Sequence, residues 1–299
     1  MFDMTRKSEE EFKAIKAEAV ETERERKNGA SGKLANVKAL EVEGLISRIR
    51  NEYFHDDYPE YIRTGFTEFD DCIKGFRRGE TYLLAARPEM GKTAFALSVL
   101  DNQIREGTNR ILYVSLKDSR ENILARLLKQ MAGFEKYDDA AEAERRWQFM
   151  EEAGGKLAAC GEKIFIDDRA GISVSEIAED CEQMGSVDLI IVDYLQIVHE
   201  MGIDELTSHE RLSLICEELG AIAKENNCAV LILSQLSRVV ESRKDHRPTK
   251  EDVVKLVPER SVDNVIFLYR DDYYFRDSER KGLAEFCFGR GKSRSCNRW

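Results

Sequence analysis

The chain has 299 residues, room for one large domain with an appendage or for two domains. Its apolar fraction of 42% is slightly low and its charged fraction of 34% is high, so much of its helical surface must be solvated. A net charge of −11 excludes a nonspecific basic coat for nucleic acid, although a ring or groove on an acidic protein can still concentrate positive charge locally.

The cysteines (Cys72, Cys160, Cys181, Cys216, Cys228, Cys287 and Cys296) are odd in number and contain no Cys-x-x-Cys pair. Free thiols in a reducing cytosol explain them better than disulfides or zinc. With four dispersed histidines, no structural metal site is expected. No stretch approaches the roughly 18 apolar residues of a membrane span, and the acidic N-terminus does not read as a signal peptide. A cytoplasmic protein without membrane contact is expected.

Residues 1–28 are mostly charged, with Phe12, Ile15 and Val20 as the sizeable apolar residues after the start. A solvated helix and disorder fit this composition equally. Asn28 to Gly32 reads as a flexible break. An apolar stripe at Leu34, Val37, Leu45 and Ile49 then has a roughly helical period. The expected division is a charged extension over 1–33, a linker helix over 34–60, and one main domain over 61–299.

The main domain alternates apolar runs with helical segments. Strands are predicted at Thr81–Ala85, Ile111–Ser115, Ile164–Ile166, Leu189–Val192, Val230–Leu233, Val265–Tyr269 and Ala284–Phe288. Helices are predicted at 92–106, 119–132, 139–160, 174–184 and 205–226, with Ser173 and Glu176 forming a capping box on the fourth. Short apolar strands alternating with helices predict an α/β fold with a mostly parallel central sheet flanked by helices.

The richest stretch is Ala85-Ala86-Arg87-Pro88-Glu89-Met90-Gly91-Lys92-Thr93, between an apolar strand and a helix-forming run. Strand, glycine-bearing loop, Lys-Thr and helix are the parts of a nucleoside triphosphate site. Ala86 to Thr93 would cradle the phosphates with backbone N–H groups at a helix N-terminus. Lys92 would reach the β- and γ-phosphates, and the Thr93 hydroxyl would hold Mg²⁺. The expected first glycine is Ala86, which serves only if its backbone does not need φ > 0. The bland alternative is an ordinary strand–turn–helix connection. Downstream, the run from Val187 to Tyr194 reads as an apolar strand ending in a carboxylate, Asp193, suited to the Mg²⁺ shell. The next strand ends in Ser234-Gln235, and Gln235 at that place would sense the γ-phosphate, or simply form a polar turn.

Further blocks are Thr64 to Asp70, Ile166-Asp167-Asp168 with Gly171 to Val174, Ile191 to Gln196, Leu233 to Arg238 and Phe267 to Tyr274. With Ala85 to Leu97, they resemble the RecA-like helicase domain of the DnaB-type replicative helicases, in the family's order, over about residues 61–288. The family's N-terminal primase-binding domain has no counterpart in this sequence, and residues 34–50 fall where the family has the linker helix that docks onto the adjacent subunit. The resemblance implies a homo-oligomer, a hexameric ring that hydrolyses ATP with Mg²⁺ at subunit interfaces, translocates along single-stranded DNA and meets other replication proteins. Nucleotide would lie between Lys92, Thr93, Asp193 and Gln235 of one subunit and basic fingers of the next.

Three departures qualify this. The family's Ser-Leu-Glu run, whose glutamate polarises the attacking water, is Ser115-Leu116-Lys117-Asp118 here. A protonated Lys117 cannot orient water as a base, and Asp118 helps only if the strand end turns; such a loss typically costs about 10²–10⁴-fold in rate. The DNA-channel loop reads Val253 to Ser261, shorter and without its glycine. Lys255 and Arg260 in it would contact DNA phosphates or serve as plain surface charges. The finger segment, Lys-x-Arg in the family, is Arg290-Gly291-Lys292, and lysine does not replace an arginine fork neutrally. The tail from Ser293 to Trp299 lacks an apolar pattern and stops short of the family's final segment. An ATP-dependent DNA helicase with impaired hydrolysis is the leading expectation. The alternative is a hydrolysis-deficient, ATP-binding paralogue acting as an interaction or regulatory protein. A RecA- or KaiC-like ATPase fits less well.

Overall fold

The computed structural model describes residues 60–107, 109–133, 140–199, 206–288 and 292–295. The charged extension and almost all of the linker segment lie outside the described residues. The elements are β1 (Tyr61–Ile62), α1 (Thr67–Ile73), β2 (Phe76–Arg77), β3 (Thr81–Ala86), α2 (Lys92–Glu106), β4 (Ile111–Ser115), α3 (Arg120–Met131), α4 (Ala140–Ala159) and β5 (Ile164–Asp167). They continue with α5 (Val174–Met184), β6 (Leu189–Asp193), α6 (Ser208–Glu225), β7 (Ala229–Gln235), α7 (Lys250–Val254), β8 (Asn264–Tyr269), α8 (Asp271–Tyr274), β9 (Glu285–Phe288) and β10 (Lys292–Ser295).

Eight strands form one sheet in the order β10-β9-β8-β3-β7-β6-β4-β5. The run from β8 to β5 is parallel, and β9 and β10 add antiparallel strands at one edge. Every residue of β3, β4 and β6 is buried, which is why these segments read as unbroken apolar runs rather than alternating ones. Alternate side chains feed two cores: Leu83, Leu112, Ile190 and Ile232 on one face, Leu84, Ile111, Ile191 and Leu231 on the other.

Register then places the chemistry. Ala86 lies beside Gln235 and Ser115 beside Asp193, so four strands deliver their carboxyl ends to one rim of the sheet. The expected mostly parallel fold is present, and Ser173 and Glu176 make their reciprocal capping box on α5. A second box, Thr207 with Glu210, starts α6 at Ser208, after the predicted 205.

Several short elements went unpredicted. Helix α1 is held by the buried Asp70 carboxylate, which accepts from Thr64 N (2.9 Å), Thr64 Oγ1 (2.8 Å) and Gly65 N (3.1 Å). Phe69 on α1 packs against Phe95 at 5.4 Å and Phe286 at 5.2 Å, tying α1 to α2 and β9. Helices α7 and α8 are too brief to show an apolar period. The two-residue strands β1 and β2 pair only with each other. Strand β10 has no apolar residue and lies at the edge of the sheet, where polar side chains discourage further pairing; a strand there was not predicted. No helix among the described residues is long and apolar enough to cross a membrane.

Candidate nucleotide site

Between β3 and α2 the chain reverses over Arg87 to Gly91. Positive φ falls on Glu89 (63°) and Gly91 (101°), whereas Ala86 closes strand β3 and needs none. The departure at Ala86 is therefore conformationally harmless, because the turn begins one residue later. Gly91 caps α2 without any side-chain hydrogen bond, and no acidic residue sits in the first turn. A side chain built at Gly91 would meet nothing within 4 Å. The first turn of this 15-residue helix thus carries its partial positive charge without a capping side chain or an acidic neighbour in the turn, which suits an anion site.

Lys92 folds back over this loop, donating from Nζ to the carbonyls of Ala86 (3.2 Å) and Arg87 (3.1 Å). Burial pushes its ammonium down to about 8; the Asp193 carboxylate opposes that, and the charges of Arg87 and Lys117 add to it. A bound polyphosphate must raise the Lys92 value, so in the window above about 8 binding takes up a proton and affinity falls as pH rises. Calorimetry at pH 8.5 in buffers of different ionisation enthalpy should show that uptake for the wild type and its loss in Lys92→Ala.

Thr93, next in the chain, donates from Oγ1 to Asp193 Oδ2 at 2.8 Å. The same oxygen accepts from the Tyr113 hydroxyl at 2.9 Å. Burial, reinforced by the Asp193 charge, holds that phenol well above its ordinary range, so it is a fixed neutral donor. Among the described residues no group of three or more His, Cys, Asp or Glu side chains could hold a metal by itself. One hydroxyl and one carboxylate are instead a donor set that suits Mg²⁺ shared with phosphate oxygens, since Mg²⁺ takes few protein ligands.

Gln235 is exposed at the end of β7. Its backbone is clamped by Gln196, whose Nε2 donates to Ser234 Oγ (2.9 Å) and Gln235 O (3.1 Å) and whose Oε1 accepts from Gln235 N (3.3 Å). Lys117 is exposed just past β4 and close enough to Lys92 to disfavour its proton. Asp118 follows in a bend fastened by Ser115 Oγ donating to its carbonyl at 2.6 Å, and its carboxylate is paired with Arg126 Nη1 at 3.0 Å. The strand end does turn, but the carboxylate it turns is already engaged.

Within the loop itself, Met90 is buried and Glu89 accepts from the Tyr273 hydroxyl at 3.4 Å. Arg87 is 7% exposed and points away from the cradle: Nε reaches Glu241 Oε1 at 2.8 Å and Nη1 reaches Leu236 O at 2.7 Å. Pro88, between them, opens the turn. Arg87 thus braces the loop against the segment after β7 rather than offering its guanidinium to phosphate.

Lys255 and Arg260 are exposed, the first capping the C-terminus of α7, the second in a 3₁₀ turn at Glu259–Ser261. That turn leads into β8 beside Thr81, whose N–H donates to Asp263 Oδ2 at 2.9 Å. Arg260 therefore stands toward the amino ends of β3 and β8, opposite the rim that carries Lys92, and the structure does not bring it to the nucleotide side chains. Arg290 lies outside the described residues; Lys292 begins β10 opposite Phe288, and only its backbone is described.

Sequence reasoning assigned no role to Tyr113, Gln196 or Glu241. Gln196 at least stood in a block singled out by resemblance, whereas Tyr113 looked like one more apolar strand residue.

A family model described as the DnaB-like helicase C terminal domain matches residues 61–296. The chain is 34% identical over 269 residues to the replicative DNA helicase DnaB of Geobacillus stearothermophilus, covering 88% of this chain and 59% of that protein. It is 36% identical over 238 residues to the replicative DNA helicase DnaC of Bacillus subtilis (strain 168), covering 78% and 52%. The chain therefore spans just over half the length of these curated relatives. Among solved structures, one described as an ATPase domain superposes with a TM-score of 0.75 at 30% identity, covering 87% of this chain and 94% of that one. A DnaB-like replicative helicase described with its interactions with primase gives a TM-score of 0.75 at 28% identity, covering 96% and 73%.

Proposed function

The chain belongs to the DnaB-like helicase C-terminal domain family, and from that premise we propose that it is an ATP-dependent DNA helicase domain that works in replication as a homo-oligomeric, hexameric ring on single-stranded DNA. The observation that carries this is the meeting of Thr93 and Asp193 beside Lys92 at an open helix N-terminus. The triphosphate lies over the loop from Ala86 to Thr93, and Lys92 exchanges its two carbonyl partners for phosphate oxygens. Mg²⁺, when bound, neutralises charge on the phosphates. Thr93 would offer it a hydroxyl oxygen, and Asp193 a carboxylate that also accepts from the Tyr113 hydroxyl. Gln235, its backbone held by Gln196, reports on the γ-phosphate.

Basic residues complete the reading. Arg290 and Lys292 act as fingers on a neighbouring subunit's nucleotide, and Lys255 and Arg260 contact DNA phosphates, for which positive charge suffices. Other replication proteins would meet such a ring in the cytoplasm.

A second reading has its own support: a hydrolysis-deficient paralogue that binds ATP and regulates. Lys117 occupies the place of the catalytic glutamate, and the neighbouring carboxylate of Asp118 is tied to Arg126. One assay separates the two. ATP turnover with Mg²⁺ is measured with and without single-stranded DNA, against Lys92→Ala, alongside the oligomeric mass. DNA-stimulated turnover above the control in a particle of about six chains supports the motor. Tight ATP binding with no turnover above the control sinks it in favour of the regulator.

A further inference from the structure

Three elements of the fold meet at one oxygen atom. Tyr113 in β4 pairs in register with Ile191 of β6, so its side chain shares a face of the sheet with Asp193, two residues further toward the rim. Helix α2 packs on that same face, and its first turn supplies Thr93. Asp193 Oδ2 accepts from Thr93 Oγ1 at 2.8 Å and from the Tyr113 hydroxyl at 2.9 Å, and neither hydroxyl addresses Oδ1.

Tyr113 is fully buried in the core that also holds Leu84, Ile111 and Ile191, where a hydroxyl is costly unless it is hydrogen-bonded. It spends its proton on the carboxylate of the candidate site. Each oxygen of a carboxylate offers two lone pairs, so two donors fill Oδ2 and leave the pairs of Oδ1. The same two bonds stop the group from turning about its last torsion, which is soft when nothing holds it.

We propose that Tyr113 is a positioning residue that sets metal selectivity: together with Thr93 it occupies Asp193 Oδ2, leaves one carboxylate oxygen to a cation, and so favours Mg²⁺ over Ca²⁺. The proposal rests on the reading of Thr93 and Asp193 as the metal side of a nucleotide site. Mg²⁺ demands a near-ideal octahedron and takes few protein ligands, whereas Ca²⁺ takes about 6–8 oxygens and accepts a carboxylate through both of its own. A carboxylate held to one free oxygen in one orientation suits the first ion and handicaps the second. Without the phenol hydroxyl, a lone pair on Oδ2 opens and the group turns more freely. Mg²⁺ then loses a fixed direction, and Ca²⁺ gains a second oxygen.

The test measures ATP affinity by calorimetry on the whole chain with Mg²⁺, with Ca²⁺ and with EDTA. Tyr113→Phe removes one oxygen atom and keeps the ring. It is expected to lower the ratio of affinities, Mg²⁺ over Ca²⁺, about tenfold, the lower end of what losing an outer-shell partner does to a metal site. Binding in EDTA should not change. Tyr113→Met, which also lacks the hydroxyl, should move the ratio the same way. A tyrosine that only fills space would weaken binding alike in all conditions, and that result overturns the proposal. An unchanged ratio in both variants overturns it too. A wild-type chain that binds ATP equally well with Mg²⁺ and with EDTA would instead remove the metal reading of Thr93 and Asp193 beneath it.

Discussion

Lys117→Glu is expected to raise DNA-stimulated ATP turnover about 10²- to 10³-fold, within the range that a positioned general base contributes. The strand end supports such a group. Ser115 pairs in register with Asp193, so position 117 follows from the same rim as the Asp193 carboxylate. Lys117 is exposed there and its charge is felt at Lys92. Replacing it does two things of known sign. A carboxylate that accepts a proton from water takes the place of a cation that cannot, and the Lys92 ammonium loses one neighbour that disfavours its charge.

ATP affinity should fall several-fold at the same time, since the γ-phosphate loses a cation and gains an anion nearby. The signature is therefore a higher kcat with a higher KM, read by steady-state assay with saturating single-stranded DNA. Asp118 is no rival for the base role while Arg126 holds it. If Lys117→Glu binds ATP and still turns over no faster than wild type, the deficit extends beyond one carboxylate and the regulatory reading gains.

The parallel sheet was legible because its strands are buried on both faces and so appear as apolar runs bounded by helices. Their ends were not. Predicted strands stopped at Val192 and Leu233, whereas the ladder continues to Asp193 and Gln235, since backbone pairing is indifferent to the polarity of the side chain. Those extra residues are the ones the candidate site uses. Helix α1 escaped notice for a different reason: it is short, and its stability comes from Asp70 and from the ring of Phe69 against Phe286, contacts between distant parts of the chain.

The phosphate loop and the Asp193 strand were readable as local motifs. The Tyr113–Asp193 and Arg87–Glu241 pairings were not, because each joins residues that become neighbours only through strand order. The same order decides where Arg260 falls. In a parallel sheet the segment entering β8 and the segment leaving β3 are at opposite ends, so Arg260 and the groups around Lys92 separate by topology alone.

Asp193→Asn is expected to abolish the Mg²⁺ dependence of ATP affinity and to lower turnover by about 10²–10³-fold, the typical loss when one preorganised electrostatic group leaves an active site. Asp193 is 8% exposed, and its Oδ2 takes both the Thr93 and the Tyr113 hydroxyl protons. An asparagine keeps an acceptor oxygen for those donors but no charge, so the packing survives while the metal loses its anionic anchor. A second effect follows from Lys92. The Asp193 carboxylate is the one neighbour that favours its protonation, so its removal pushes the ammonium further below the value of about 8. Nucleotide binding by Asp193→Asn should then take up more protons near pH 8 than the wild type does, while Lys92→Ala takes up none by this route. Calorimetry with and without EDTA reads both effects from one set of titrations. If Asp193→Asn still binds ATP more tightly with Mg²⁺ than without it, the metal is held elsewhere and the pairing of Thr93 with Asp193 is only structural.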